Sequence, residues 1–302
     1  MDTVKQIPLE EEYKKNTGVT PDDVSKLREW MDTQPHLPGQ YITDLDLILA
    51  HHCCDCDLEA SKQLLDTHFT LKTEMTALFK DRAFDERIER ALNTSLLIPL
   101  PTPSKDGYAV FYTRTIDSDP QNYCLQDLYR ATIMGWELWQ VESGTWPGFV
   151  MVFDLAGLGF QHFLRMHLSS LQNFTKYMQE AFLGKLKYVH ILNAPSFFDK
   201  IVMLCRPFVK SYLLDMIRIH HHTDTLEEFY PVDALPVESG GRWKSVLECR
   251  DEVIAKFRAN AKFFDAEAKK RVDESKRPRK PSSQTSYGFF DRFRGVRKVE
   301  ID

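Results

Sequence analysis

Apolar positions recur along this chain at two spacings, and the change between them divides it. From Thr20 to about Leu92 the spacing is helical. Thr20-Pro21-Asp22-Asp23 has the form of a helix start, with a capping hydroxyl, a proline at the first helical position and acids in the first turn. Val24, Leu27, Trp30 and Met31 then share one face. Pro35 to Gly39 ends that helix, and Thr43-Asp44 opens another through Leu45, Leu47, Ile48 and Leu49. Leu58 to Phe79 repeats the pattern at Leu64, Leu65, Phe69, Leu71, Met75 and Leu78. Residues 20–92 therefore read as a small all-helical N-terminal module, and the acidic residues 1–19 before it as a flexible N-terminus.

From Leu96 the texture changes. Leu96 to Pro101 is extended, because prolines restrict the residues before them. Lys105-Asp106-Gly107 is a turn, and Tyr108 to Thr113 has the β-branched and aromatic content of a strand. Leu125 to Glu142 reads as a helix, and a long helix is expected from about Gln161 to Gly184. Phe149 to Leu155 and Tyr188 to Leu192 are apolar runs without clean alternation, as strands covered on both faces require. The span between them suits a crossover helix, so the unit reads as βαβ within an α/β domain. A charged helix is expected from Lys244 to Asp273. Lys276 to Ser286 reads as a linker, and Tyr287 to Asp302 as a basic, aromatic tail.

Composition narrows the class. A chain of 302 residues with 43% apolar and 12% aromatic content can bury a substantial core, and a net charge of −5 is unlike the basic footprint of a nucleic-acid binder. The first residues lack the apolar stretch of a secretory signal, and no run approaches the length needed to span a bilayer. Six cysteines at irregular spacing do not form a disulfide framework. A cytoplasmic protein is the expectation.

The candidate chemistry is mostly negative. Gly157-Leu158-Gly159 follows a strand but lacks the third glycine of a dinucleotide loop, and no Gly-x-Ser-x-Gly elbow occurs. His51-His52-Cys53-Cys54-Asp55-Cys56-Asp57 contains zinc-ligand types. Adjacent helical residues point about 100° apart, however, so these four leading side chains cannot converge on one ion. His220-His221-His222 fails for a similar reason, its alternate residues facing apart. No metal, no cofactor and no enzymatic activity are therefore expected. What remains is a surplus of rings between Phe149 and Tyr212, which by composition suits either a packed core or an apolar ligand pocket.

A resemblance bears on that choice. Val152-Phe153-Asp154-Leu155-Ala156-Gly157, His190-Ile191-Leu192-Asn193-Ala194-Pro195-Ser196-Phe197-Phe198, Arg206-Pro207-Phe208 and Leu235-Pro236-Val237-Glu238-Ser239-Gly240-Gly241 resemble, in order and spacing, the motifs of the CRAL-TRIO family of lipid-binding proteins. That family includes retinaldehyde and alpha-tocopherol carriers, and the tail resembles those of invertebrate members. The resemblance implies an α/β fold with a CRAL-TRIO-type, mostly parallel sheet, flanking helices and a mobile gate helix. By position the domain is residues 93–241, the gate Ser196 to about Arg218, the C-terminal helix residues 242–275, and the linker and tail residues 276–302.

It also implies a monomeric carrier of one small hydrophobic lipid, a tocopherol, retinoid, carotenoid or other terpenoid, released where the gate opens at a membrane. Carried over by position, the ligand-binding residues are Tyr129, Thr132, Trp136, Phe149, Phe153, Phe174, Tyr177, Met178, Phe182 and Val189, with Phe198, Ile201, Val202, Cys205 and Phe208 on the gate. The family's phosphoinositide cluster carries over only in part, to Lys185 and Lys187, with Lys210 and Arg218 as substitutes. The alternative function is a phosphoinositide-binding membrane adaptor or phospholipid exchange protein.

Overall fold

The computed structural model describes residues 3–220 and 222–278. A short helix α1 (Leu9–Tyr13) precedes five helices: α2 (Pro21–Asp32), α3 (Asp44–Cys53), α4 (Leu58–Glu74), α5 (Thr76–Phe79) and α6 (Glu86–Thr94). Their starts are written in the sequence. Thr20 with Asp23, and Thr43 with Asp46, form reciprocal capping boxes, and Asp57 and Asp85 cap the next two long helices. Leu27, Met31, Leu45, Ile48, Leu64, Leu65 and Phe69 meet at the centre of this module.

Strands β1 (Ser95–Pro99) and β2 (Ala109–Thr115) are followed by helix α7 (Leu125–Ser143) and strand β3 (Phe149–Asp154). Helices α8 (Phe160–Leu164) and α9 (Leu168–Glu180) then lead to β4 (Leu186–Leu192), and α10 (Phe198–Cys205) and α11 (Ser211–Leu214) to β5 (Ile217–His220). The chain continues through α12 (Val246–Ala259) and α13 (Ala261–Glu267). The five strands form one sheet in sequence order, with β1 antiparallel to β2 and the other pairs parallel. One face packs Phe111, Phe149 and Met151 against α7 and α9, and the other packs Tyr112, Val150, Val152 and Leu192 against Leu226, Tyr230, Leu235 and Cys249. Burial on both faces explains why these strands read as continuous apolar runs.

Four expectations need correction. The helix expected over 161–184 is two, because His167 takes extended backbone (ψ 123°) and starts α9 afresh. The helix expected over 244–273 begins at a Ser245–Glu248 capping box and breaks at Asn260. There the amide oxygen of Asn260 accepts from the Val4 N–H at 2.6 Å and its Nδ2 donates to Lys256 O at 2.7 Å. The gate expected over 196–218 is two short helices and the start of a strand, so Arg218 belongs to β5. The N-terminal segment, expected to be flexible, is tethered: Ile7 N–H donates to Val141 O at 2.8 Å, and buried Glu12 accepts from Thr145 N–H at 3.2 Å. The expected tail over 287–302 and most of the linker lie outside the described residues.

A buried ion network joins the helical module to α7 and α13. Lys72 on α4 reaches Glu137 at 2.9 Å and Glu267 at 3.1 Å, Arg82 reaches Glu137 at 2.5 Å, and Lys270 links Glu267 at 2.6 Å to Asp46 at 2.8 Å. Burial alone would raise the Glu267 carboxyl, but the flanking Lys72 and Lys270 outweigh it and hold it below the usual range. Glu137→Gln would leave Arg82, 2% exposed, without its counter-charge. The expected cost is about 3–5 kcal/mol of unfolding free energy, read as a lower urea midpoint. An unchanged midpoint would show the network to be energetically idle.

Candidate ligand cavity

Between the sheet and its roof of short helices lies a cavity of about 300 Å³. Its floor is one face of the sheet, with Leu97, Thr113, Met151, Phe153, Val189, Ile191 and Ile217 pointing up at the period of two that strands impose. Leu128, Tyr129 and Thr132 of α7 and Leu171, Phe174, Thr175 and Met178 of α9 form a wall. Tyr129 stacks on Phe174 with ring centres 3.9 Å apart and planes 5° from parallel. The roof is α10, whose Phe198, Ile201, Val202 and Cys205 fall at the i, i+3, i+4, i+7 spacing of one helical stripe, continued by Val209, Leu213 and Leu214.

Ten of the fifteen expected pocket residues line this space: Tyr129, Thr132, Phe153, Phe174, Met178, Val189, Phe198, Ile201, Val202 and Cys205. Trp136, Phe149, Tyr177 and Phe182 do not. They form a ring cluster that closes one end, with Trp136 5.4 Å from Phe149 and 5.0 Å from Phe182, and Phe182 6.4 Å from Tyr177. The indole of Trp136, 1% exposed, fills that end solidly, which shortens the cavity. Phe208 lies past the roof stripe, in the link between α10 and α11. Met151, Leu171, Ile191, Leu213 and the hydroxyl residues Ser95, Thr113 and Thr115 were not anticipated. Met151 and Ile191 carry a signal, being the period-two partners of Phe153 and Val189.

Beside the cavity, at the end of β3, Asp154 is 1% exposed and collects polar groups from every direction. Its Oδ1 accepts from Asn193 Nδ2 at 2.8 Å and from Ala156 N–H at 3.1 Å. Its Oδ2 accepts from Tyr112 OH at 2.8 Å and Ser239 Oγ at 3.0 Å, and pairs with Arg114. Burial, with Asp154 alongside, pushes the Tyr112 hydroxyl well above its ordinary value, so it stays protonated and donates. Asn193 holds φ at +51°, a left-handed turn that suits its short amide.

The roof is fastened at its middle by one side chain. Gln179 of α9, 4% exposed, donates from Nε2 to Phe208 O at 3.0 Å and accepts the Lys210 N–H at 2.8 Å. Outside, α8 and α10 share an apolar surface. Phe160 and Phe163 pack on Phe197 at 5.6 and 5.7 Å, Lys200 lies over the Phe160 ring, and Leu164 (60%) and Met203 (63%) are open to solvent.

Of the four expected phosphoinositide contacts, Lys187 lies in β4 and Lys185 just before it, Arg218 lies on the adjacent β5, and Lys210 lies in the roof. Lys185 pairs with Asp55 at 2.5 Å, and Lys187 lies over the Tyr108 ring at 5.7 Å. Arg218 donates to Asp215 O and lies over Tyr188, while Lys210 precedes α11.

The histidines are internal ties. His51 Nδ1 meets Ser61 Oγ at 2.8 Å and His52 Nε2 meets Trp146 O at 3.0 Å. Burial raises both neighbouring thiols, that of Cys54 to about 12. No group of three or more potential ligands for a metal ion occurs among the described residues. On the far side of the sheet, His190 Nδ1 meets His220 Nε2 at 2.8 Å, and His220 Nδ1 meets Thr225 Oγ1 at 2.8 Å. Thr225 spends its proton on His222 O, so it accepts from His220, which in turn accepts from His190. His220, accepting at Nε2, is therefore neutral, and burial lowers the pKa of both rings.

Residues 93–241 match the family model described as CRAL/TRIO domain, and residues 16–88 the one described as Pinta-like, UBA domain. Clavesin-2 of Homo sapiens is 24% identical over 76% of this chain and 71% of its own. Alpha-tocopherol transfer protein-like of Mus musculus is 24% identical over 78% and 71%. The solved structure titled "Crystal structure of Sfh5" aligns at a TM-score of 0.44 and 12% identity, over 76% of this chain and 91% of that one.

Two measurements test the polar framework around the cavity. Asp154→Asn keeps the shape but removes the charge opposite Arg114, and should cost about 3–5 kcal/mol of stability. A thermal midpoint equal to wild type would refute that role. The histidine pair sets a pH dependence. Burial, then the neighbouring His220 and Arg218, lowers His190 to about 4. The unfolded chain takes up this proton first, below about pH 6.5, so stability is intact above that value. It should fall by on the order of 2 kcal/mol toward pH 4.5, and His190→Phe should flatten the slope in urea titrations at each pH.

Proposed function

We propose that this chain, whose residues 93–241 are a CRAL/TRIO domain, binds one small hydrophobic lipid in its cavity and transfers it to and from membranes. The observation that carries the reading is the mainly apolar cavity of about 300 Å³ roofed by α10 and α11. Its size is at the lower end of the range that drug-sized ligands occupy. A retinoid, a tocopherol or another terpenoid is the class of cargo it suits, and the mouse relative's printed name points the same way.

Energetics require a gate. At about 25 cal/mol per Å², burying a few hundred Å² of apolar ligand contributes on the order of 10 kcal/mol gross, so escape into water is very slow. Release against a bilayer removes that barrier, because the ligand passes from one apolar phase to another. The segment from Ser196 to His220 is the natural gate: two short helices, their link fastened by Gln179. Leu164 and Met203, exposed beside Lys200 and Arg206, offer the apolar and basic surface that an interfacial helix uses. No helix among the described residues is long and apolar enough to cross a membrane, which suits a peripheral contact. The alternative, a phosphoinositide-binding adaptor, has less support, because Lys185 is paired with Asp55 while Lys187 and Arg218 lie over the rings of Tyr108 and Tyr188.

Delipidated protein incubated with a fluorescent retinoid should gain protease protection across residues 196–220. Val189→Trp, which fills the cavity, should weaken uptake at least about tenfold, the loss of roughly 1.4 kcal/mol. Met203→Asp should leave uptake in solution intact but slow transfer to vesicles by about the same factor. Uptake unaffected by Val189→Trp would place the ligand elsewhere and end this reading.

A further inference from the structure

An apolar cavity has no packing reason to carry hydroxyl groups, yet this one carries a group of them at one end. Ser95 of β1 and Thr115 of β2 are direct cross-strand partners, and Thr113 stands two residues back on the same face. All three line the cavity. Cross-strand partners place their Cβ atoms about 5 Å apart, and two residues along a strand about 6.6 Å, so the three converge on one small volume.

Their hydrogen bonding sets them apart from the other hydroxyls of the wall. Thr132 donates to Leu128 O at 2.8 Å and Thr175 to Leu171 O at 2.7 Å, each satisfied by its own helix. Strand backbone offers no such carbonyl, because the ladder uses it. The side-chain oxygens of Ser95, Thr113 and Thr115 have no partner among the described residues, and none is a sealed, unsatisfied atom. They open into the cavity. A valine at 113 or 115 would pack the same floor and leave no hydroxyl in need of a partner.

Charge gives the second half of the argument. Arg114 and Asp154 are the charged residues that line the cavity among those described, and they are paired with each other. Asp154 is saturated by Tyr112, Ser239, Asn193 and Ala156. A ligand carboxylate or phosphate at this end would bring a second anion beside Asp154, with no free cation lining the space. Such a charge is disfavoured on a mainly apolar wall beside an anion that is already there. An uncharged oxygen meets neither penalty.

We infer that Ser95, Thr113 and Thr115 form the subsite for the polar end of the ligand, and that the ligand is an uncharged lipid with a hydroxyl or carbonyl oxygen rather than a fatty acid or a phospholipid. The inference rests on the carrier function proposed above and narrows its cargo. It also orients the ligand: the oxygen lies toward the ends of β2 and β3, and the hydrocarbon runs toward Phe174, Met178 and the ring cluster. A hydroxyl can donate to one of the three side chains and accept from another, whereas a carbonyl accepts from two.

Three probes with one fifteen-carbon skeleton test it: farnesol, farnesoate and farnesene, an alcohol, a carboxylate and a hydrocarbon. Each is titrated into the delipidated 302-residue chain at pH 7.5 by equilibrium dialysis. Farnesol should bind at least about tenfold tighter than farnesoate. Thr113→Val/Thr115→Val should weaken farnesol about tenfold and change farnesene less than about twofold. Ser95→Ala, a smaller change, should give the same sign with a smaller loss and serves if the double variant does not fold. Farnesoate binding as tightly as farnesol would overturn the inference, as would a farnesol affinity indifferent to these substitutions. In either case farnesene uptake would leave the carrier function standing. Uptake of none of the three would overturn both.

Discussion

A carboxylate withdrawn from water must find enough hydrogen bonds to replace its hydration, or the strand that carries it cannot stay buried. Asp154 meets that condition with groups from four places far apart in the chain: Tyr112 and Arg114 of β2, the Ala156 amide of its own loop, Asn193 after β4 and Ser239 before α12. The requirement is mutual. Ser239 belongs to a loop that closes over the sheet's outer face, and Asn193 starts the turn from which the roof departs. Two strand ends, one covering loop and the base of the roof are thus fixed by a single ion. The apolar faces are non-directional and would tolerate other arrangements, whereas this cluster tolerates few.

The same constraint shapes the cavity through strand alternation. On β2, Tyr112 and Arg114 point toward the Asp154 cluster, so Thr113 and Thr115 must point the other way, onto the cavity floor. On β3, Asp154 on one face obliges Met151 and Phe153 onto the other. A shift of register by one residue would bury the hydroxyls with the aspartate and turn the polar cluster toward the ligand. The cavity's polar end and its structural anchor are therefore two sides of one ladder. Phe149 extends the floor in the same phase, but Trp136 and Phe182 stand on it, and there the space ends.

How much of this could be read beforehand follows from the kind of force involved. Helix starts were legible because caps are local: Thr20, Thr43 and Asp57 each satisfy an N–H three residues on. Strands β3 and β4 were legible because burial on both faces leaves a continuous apolar run. The breaks at His167 and Asn260 were not, since the Asn260 break depends on a bond to Val4 from the opposite end of the chain. Within the site, the stripe Phe198, Ile201, Val202 and Cys205 was recoverable from spacing and family position. The division of the rings was not: Trp136 and Tyr129 lie two helical turns apart on α7, and only packing decides which fills space and which borders it. The hydroxyls of Ser95, Thr113 and Thr115 carry a fainter signal, polar residues recurring at period two within apolar strands.

The proposed gate follows from what is missing in the secondary structure of the roof. Helices of eight and four residues are too short to be stable in water by themselves, so α10 and α11 depend on what lies beneath them. Beneath them is the cavity, and when it is empty the stripe from Phe198 to Leu214 loses its partner atoms on one side. Two hydrogen bonds to Gln179 then hold the link with little help from packing. On the proposed carrier function, a ligand would restore the missing contacts and order the roof, while an apolar surface outside, reached through Leu164 and Met203, would compete for the same helices. Filling and opening are consequently opposed by the same short elements. That opposition is what a carrier needs to hold its cargo in water and surrender it to a bilayer.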